Sequence, residues 1–163
     1  TGRLARIPGI TPLRWDPRIT TPAVYQYIFK FNPAKADGFS REHLIAALEM
    51  EGIPSDGIFY EPVYRSSLFV PTPEKFDALR RCPERADLSA YHCPVAERAA
   101  YEEAVWLPHH VFLGDRQYMD YIADTIGRVI DHAGELAGLQ HPLVDFRRMN
   151  RATRALQKSD RPY

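Results

Sequence analysis

Cysteine is scarce in this chain: Cys82 and Cys93 are the two present in 163 residues. Two thiols make neither a disulfide scaffold nor a metal framework, and a reducing cytoplasm is the default compartment they imply. Lysine is nearly as rare, with Lys30, Lys35, Lys75 and Lys158. A Schiff-base lysine needs a dry or positively assisted pocket. Lys30 is expected to face outward at a strand end, and the other three stand in polar, loop or tail settings. No apolar run approaches the roughly 18 residues of a membrane span, and residues 1–10 lack the apolar stretch of a signal peptide. Net charge is zero, 21 basic against 21 acidic, which argues against a disordered tail or an obligate nucleic-acid binder. No Gly-x-Gly-x-x-Gly, Walker loop, His-Glu-x-x-His or Gly-x-Ser-x-Gly occurs. Ser66 and Ser67 have no nearby histidine–acid pair, so a catalytic triad has no support.

Proline is abundant instead, 14 of 163 residues, against a background near 5%. Charge is also unevenly spread. Residues 1–18 carry a net +3, residues 147–163 a net +5, and the middle a net −8. Basic ends of this kind are read as solvated ends that contact the acidic middle or a partner chain. Nucleic-acid binding through 147–158 ranks last and would require a steep salt dependence.

Pro8, Pro12, Pro17 and Pro22 make residues 1–22 an irregular, extended lead-in that must lie against something else, as where a chain is cut from a larger body. Residues 23–31 form the clearest strand, with Tyr25, Tyr27, Phe29 and Phe31 on one face and Val24, Gln26, Ile28 and Lys30 on the other. Ser40 caps a helix to about Glu51, with Leu44, Ile45 and Leu48 inward and Gly52 as its stop. Residues 53–59 read as a weaker strand, broken by Pro54 and Gly57, and 60–83 as a long proline-marked loop. Pro94 opens a helix to about Glu103, a strand follows over 104–107, and Asp115 caps a helix to about Leu136. The inner stripe of that last helix is Tyr118, Tyr121, Ile122, Thr125, Ile126, Val129, Ile130 and Ala133. The fold class is therefore a small two-layer α+β unit, a three-stranded, mainly antiparallel sheet with helices on one face. Residues 1–22 are the lead-in arm, 23–136 the domain, and 137–163 a basic helical or disordered tail. The wide aromatic stripe is expected to leave one sheet face for a second body.

Candidate chemistry is thin. Cys82, His92, Cys93, His109 and His110 match no zinc spacing, and no metal is expected. In the loop, Tyr60-Glu61-Pro62-Val63-Tyr64-Arg65 gathers two phenols, a carboxylate and a guanidinium on a proline-stiffened turn. Such groups suit a polyhydroxylated or carboxylate-bearing small molecule, or else a packed surface loop. His109, after a buried strand, is a further candidate.

Read in order, Glu51-Gly52-Ile53-Pro54, Tyr60-Glu61-Pro62-Val63-Tyr64, Cys82-Pro83, Cys93-Pro94-Val95-Ala96-Glu97 and Trp106-Leu107-Pro108-His109 with its following helix resemble the C-terminal part of the DegT/DnrJ/StrS aminotransferases. The resemblance covers about residues 25–130. Around Tyr60 and Trp106-Leu107-Pro108-His109 it looks closest to members acting on aminocyclitols or 3-amino-5-hydroxybenzoate precursors. Tyr64 stands where many members carry histidine.

The resemblance implies the C-terminal small domain of a fold-type I enzyme dependent on pyridoxal phosphate, which aminates keto-sugars or keto-cyclitols with an amino-acid donor. The Schiff-base lysine and most cofactor ligands would belong to an N-terminal large domain, the chief partner, within a homodimer. This chain alone would hold no cofactor and run no transamination. Tyr60, Tyr64, Arg65 and His109 would orient the keto substrate. The alternative is a non-catalytic interaction or dimerisation module of the same fold, with neither nucleic acid nor membrane as a partner.

Overall fold

Phe29 and Phe31, both fully buried, anchor the central strand β2 (Gln26–Phe31). The computed structural model describes residues 1–57, 61–66, 71–88 and 91–141. Among these, β2 lies between β1 (Ile10–Pro12) and β3 (Ala104–Pro108) in a sheet of order β1-β2-β3, antiparallel at both joins. Phe31 faces Ile10, Phe29 faces Val105 and Tyr27 faces Leu107, so one pleat face collects these apolar side chains. Burial of each large apolar side chain contributes about 1.5–3 kcal/mol.

The aromatic stripe is the face that the helices cover. It packs in one cluster with Leu44, Ile45 and Leu48 of α1 (Arg41–Met50) and Ile122, Ile126, Val129 and Ile130 of α4 (Arg116–Asp131). The opposite face carries Gln26, Ile28 and Lys30, all half-buried. Tyr25 falls off the end of the stripe at 74% exposure, because β3 stops opposite Gln26.

The stretch read as an irregular lead-in contains a 3-10 turn, Leu4–Arg6, and β1 itself. Gly9 turns the chain at φ +77°, and its carbonyl oxygen accepts the Asn32 N–H at 2.8 Å. That turn sets Ile10 against Phe31, and Leu4 and Ile10 join the core. Proline is tolerated here because an edge strand need not donate on its outer side.

The second expected strand, 53–59, reduces among the described residues to a bridge between Asp56 and Trp106, with N···O distances of 3.0 and 2.8 Å. Pro54 offers no donor. Gly57 then passes so close to β3 that a Cβ there would meet the Ala104 carbonyl oxygen at 2.6 Å.

Helix α1 begins as expected at Ser40, but its capping box uses His43. Ser40 Oγ accepts the His43 N–H, and His43 Nδ1 accepts the Ser40 N–H, each at 3.3 Å. Past α2 (Asp77–Arg81), the helix opened by Pro94 divides into α3 (Pro94–Arg98) and a π turn, Ala99–Glu103. Asp115 caps α4 by accepting the Tyr118 N–H at 2.8 Å. That helix ends at Asp131, short of the expected Leu136, and α5 (Ala133–Leu136) follows after His132.

Arg3 binds Asp120, at 2.6 Å, and Asp124, both on α4, so the basic N-terminus contacts the acidic middle. The tail from 142 onward, expected to be helical or disordered, lies outside the described residues, as does Tyr60.

Candidate functional site

Pro62 starts the 3-10 turn Val63–Arg65, closed by the Arg65 N–H donating to the Pro62 carbonyl at 2.8 Å. The turn places two neighbouring side chains on one target. Tyr64 Oη donates to Glu97 Oε1 at 2.5 Å, and Arg65 Nη2 donates to the same oxygen at 3.1 Å. His92 Nδ1 stands 3.0 Å from the other oxygen, Oε2. The guanidinium also lies over the Tyr64 ring, 5.1 Å from its centroid. Cys93, the residue before α3, donates its N–H to Tyr64 Oη at 3.0 Å. A phenol thus caps the start of α3, which has no cap from its own N-cap side chain.

The electrostatics follow from these contacts. The Tyr64 hydrogen bond holds the Glu97 carboxyl below the ordinary glutamate range; Arg65 and His92 add to this, and burial works against it. Burial pushes the Tyr64 phenol up, reinforced by the adjacent carboxylate. Desolvation opposes the Arg65 charge, but Glu97 and Tyr64 raise its pKa overall.

Of the residues singled out from sequence, Tyr64 and Arg65 are brought together and Tyr60 lies outside the described residues. His109 joins a different group: it begins a 3-10 turn after β3, and its ring stacks on Tyr25 at 5.8 Å and meets His110 edge-on at 6.0 Å. Sequence reasoning gave Glu97 no role and treated His92 only as a rejected metal ligand. The signal available was weak: a carboxylate in the first turn of a proline-opened helix.

The described lysines do not fit pyridoxal phosphate. Lys30 Nζ lies 2.6 Å from Glu103 Oε2, and Arg98 Nε holds Oε1 of the same carboxylate at 2.7 Å. Burial works against the Glu103 charge, yet Lys30 and Arg98 keep its carboxyl below the ordinary range. Lys30 is thus held in an ion pair with its side chain 45% exposed, not in the dry pocket that a Schiff-base lysine requires. Lys35 and Lys75 are exposed, and Lys158 is outside the described residues. No step through the cofactor is assigned to this chain. Among the described residues, no group of three or more His, Cys, Asp or Glu could hold a metal ion, and no helix is long and apolar enough to cross a membrane.

No family model matches the chain. It is 36% identical over 138 residues to a provisionally named L-glutamine:3-amino-2,3-dideoxy-scyllo-inosose aminotransferase of Micromonospora echinospora, covering 83% of this chain and 33% of that protein. A counterpart of the same provisional name from Streptomyces kanamyceticus is 36% identical over 139 residues, again 83% of this chain and 33% of the relative. The L-glutamine:2-deoxy-scyllo-inosose aminotransferase of Streptoalloteichus tenebrarius is 29% identical over 130 residues, 78% of this chain and 30% of the relative. The chain thus spans about a third of the length of these relatives, matching their C-terminal part. In fold it is similar to the crystal structure of 3-amino-5-hydroxybenzoic acid synthase, with a TM-score of 0.50 and 22% identity over 80% of this chain and 31% of that one.

Proposed function

The chain belongs to the DegT/DnrJ/StrS aminotransferases, matching the C-terminal part of its relatives, and on that premise we propose that it forms the small domain of an enzyme that moves an amino group from an amino acid to a keto-cyclitol or keto-sugar. One observation carries this reading: the 36% identity over 138 residues with relatives whose names specify an aminocyclitol reaction. Pyridoxal phosphate would supply the amino-group chemistry, held by an N-terminal large domain that carries the Schiff-base lysine. The pinned Lys30 and the exposed Lys35 and Lys75 support that division of labour. The complete enzyme is proposed to be a cytoplasmic homodimer.

This chain's part is to wall and orient. Tyr64 and Arg65 sit on a turn braced from α3, and a braced turn presents polar groups to a substrate with little loss of side-chain freedom. Tyr60 and His109 are proposed as further substrate contacts.

The test joins this chain to its cofactor-binding domain and supplies L-glutamine with a keto-cyclitol. Formation of the amino-cyclitol, followed by mass spectrometry, is the expected result. This chain alone is expected to retain no pyridoxal phosphate after borohydride treatment. Covalent retention on one of its own lysines would overturn the division of labour. No turnover by the joined protein would favour the non-catalytic interaction module instead.

A further inference from the structure

An open groove of about 460 Å³ is walled by the N-terminal turn around Arg6 on one side and by α4 on the other, a size that suits a small molecule. Most of its charges are already spent within the protein. Arg3 binds Asp120 and Asp124, and Arg128 Nη2 lies 3.0 Å from Glu51 Oε2 and 3.2 Å from Thr125 Oγ1. A cation and an anion remain. Among the described residues, the lining side chains of Arg6 and Asp131 hold no hydrogen bond or ion pair, with each other or elsewhere. The rest of the lining is Ile7, Ala123 and Gly127, each half-buried. Gly127 is the unexpected member. Glycine is the poorest helix former after proline, yet this one stands inside α4. Packing does not demand it: a Cβ there would meet nothing nearer than Ile7 Cδ1 at 3.9 Å, an ordinary contact. What a larger side chain would remove is room in the groove, where bare backbone admits a ligand closely.

We propose that this groove binds an apolar α-amino acid as its zwitterion: Arg6 pairs with the carboxylate, Asp131 with the ammonium, and the side chain lies against Ile7, Ala123 and Gly127. One uncommitted charge of each sign matches a ligand that carries one of each. A guanidinium fork takes a carboxylate through two parallel bonds, and a carboxylate accepts from the three donors of an ammonium. A simple anion would leave Asp131 unmatched, and a simple cation would leave Arg6 unmatched. The groove shares no residue with the Tyr64–Glu97 cluster, and the proposal goes beyond the aminotransferase reading without depending on it.

Titration calorimetry of this chain with L-leucine tests it, beside 4-methylpentanoate, which lacks the ammonium, and leucinamide, which lacks the carboxylate. The titrations are run at about pH 6, where an α-amino group is protonated. L-Leucine is expected to bind, and each truncated probe to bind about 10-fold more weakly or worse. Arg6→Gln should weaken L-leucine and 4-methylpentanoate about 10-fold and leave leucinamide unchanged. Asp131→Asn should weaken L-leucine and leucinamide and leave 4-methylpentanoate unchanged. Neither side chain has a contact within the described residues to lose, so both variants should melt as the wild type does. Gly127→Leu should fill the groove and abolish binding, whereas Gly127→Ala should raise the melting temperature. The two charge variants keep the question decidable if Gly127→Leu does not fold. Failure of L-leucine to bind, or equal binding of all three probes, overturns the proposal. So does an equal response of the three probes to Arg6→Gln, or a lower melting temperature for Gly127→Ala, which would give the glycine a packing role instead.

Discussion

Arg41 Nη1 donates to the carbonyl oxygen of Ala100 at 3.1 Å, so a cation buried at the start of α1 satisfies the π turn 59 residues along the chain. A π turn widens the helical ladder and leaves carbonyls needing other donors. The same nitrogen lies 3.4 Å from the Ala104 carbonyl oxygen, and Nη2 lies 3.4 Å from Glu42 Oε1. Arg41 and Glu42 are 2% and 1% exposed. Removing one partner of a buried pair costs about 3–5 kcal/mol, because the remaining charge stays desolvated. Arg41→Met, which keeps much of the apolar stem, is expected to lose that much in urea denaturation. A loss below about 0.5 kcal/mol, the range of an ordinary surface change, would refute the bracing role.

Two glycines separate backbone strain from steric conflict. Gly52 ends α1 at φ +77°, and a Cβ added there would meet nothing within 4 Å, so Gly52→Ala carries only the left-handed penalty, about 1–2 kcal/mol. Gly57 has no such φ, yet its Cβ would meet Ala104 O at 2.6 Å and Ile45 Cδ1 at 3.0 Å. Gly57→Ala must push β3 away from the bridge at Asp56 and is expected to cost more than Gly52→Ala. Gly52→Asn should recover part of its loss and Gly57→Asn none, as thermal melts of the four variants would show.

How legible these features are in sequence depends on the range of the contacts that make them. The stripe of α4 repeats every three or four residues, so Ile122, Ile126, Val129 and Ile130 declare their buried face locally. Ser40 and Gly52 likewise bound α1 through their own immediate neighbours. The three residues of β1 carry no pattern of their own, and become a strand only because Phe31 offers Ile10 a partner. Glu97 meets Tyr64 across 33 residues, and no local periodicity encodes that pairing. Tyr64 and Arg65 were readable as chemistry, but their mutual partner was not.

The Glu97 cluster predicts limbs of opposite sign at the two ends of the pH range. Its carboxyl is held below the ordinary 4.5, chiefly by the Tyr64 hydrogen bond. That contribution to stability is present above the unfolded-state value and is lost as pH falls through the lowered one. The Tyr64 phenol is raised above 10.0, chiefly by burial. Its contribution is present below the unfolded-state value and is lost as pH rises through the raised one. Melting temperature should therefore decline at both extremes. Glu97→Gln should soften the acid limb and Tyr64→Phe the alkaline one. Unchanged limbs in both variants would mean that the cluster does not couple to folding.

The N-terminal stretch gives the sharpest contrast between a linker and a structural strand. Ile10 is 5% exposed and faces Phe31, whereas Thr11 on the same strand is exposed beside Lys30. Alternation along a strand makes these neighbours energetically unlike. Ile10→Ala opens a cavity under the sheet edge and is expected to cost about 2–5 kcal/mol, while Thr11→Ala should stay within about 0.5 kcal/mol. The Arg3 pairs with Asp120 and Asp124 are exposed, so Arg3→Ala should lower the melting temperature only slightly. Even that difference should vanish near 1 M salt, where screening acts over about 3 Å. Equal, negligible effects of Ile10→Ala and Thr11→Ala would return residues 1–22 to the status of a tether. A large loss confined to Ile10→Ala makes β1 part of the core, because only a strand seated against Phe31 distinguishes the two faces.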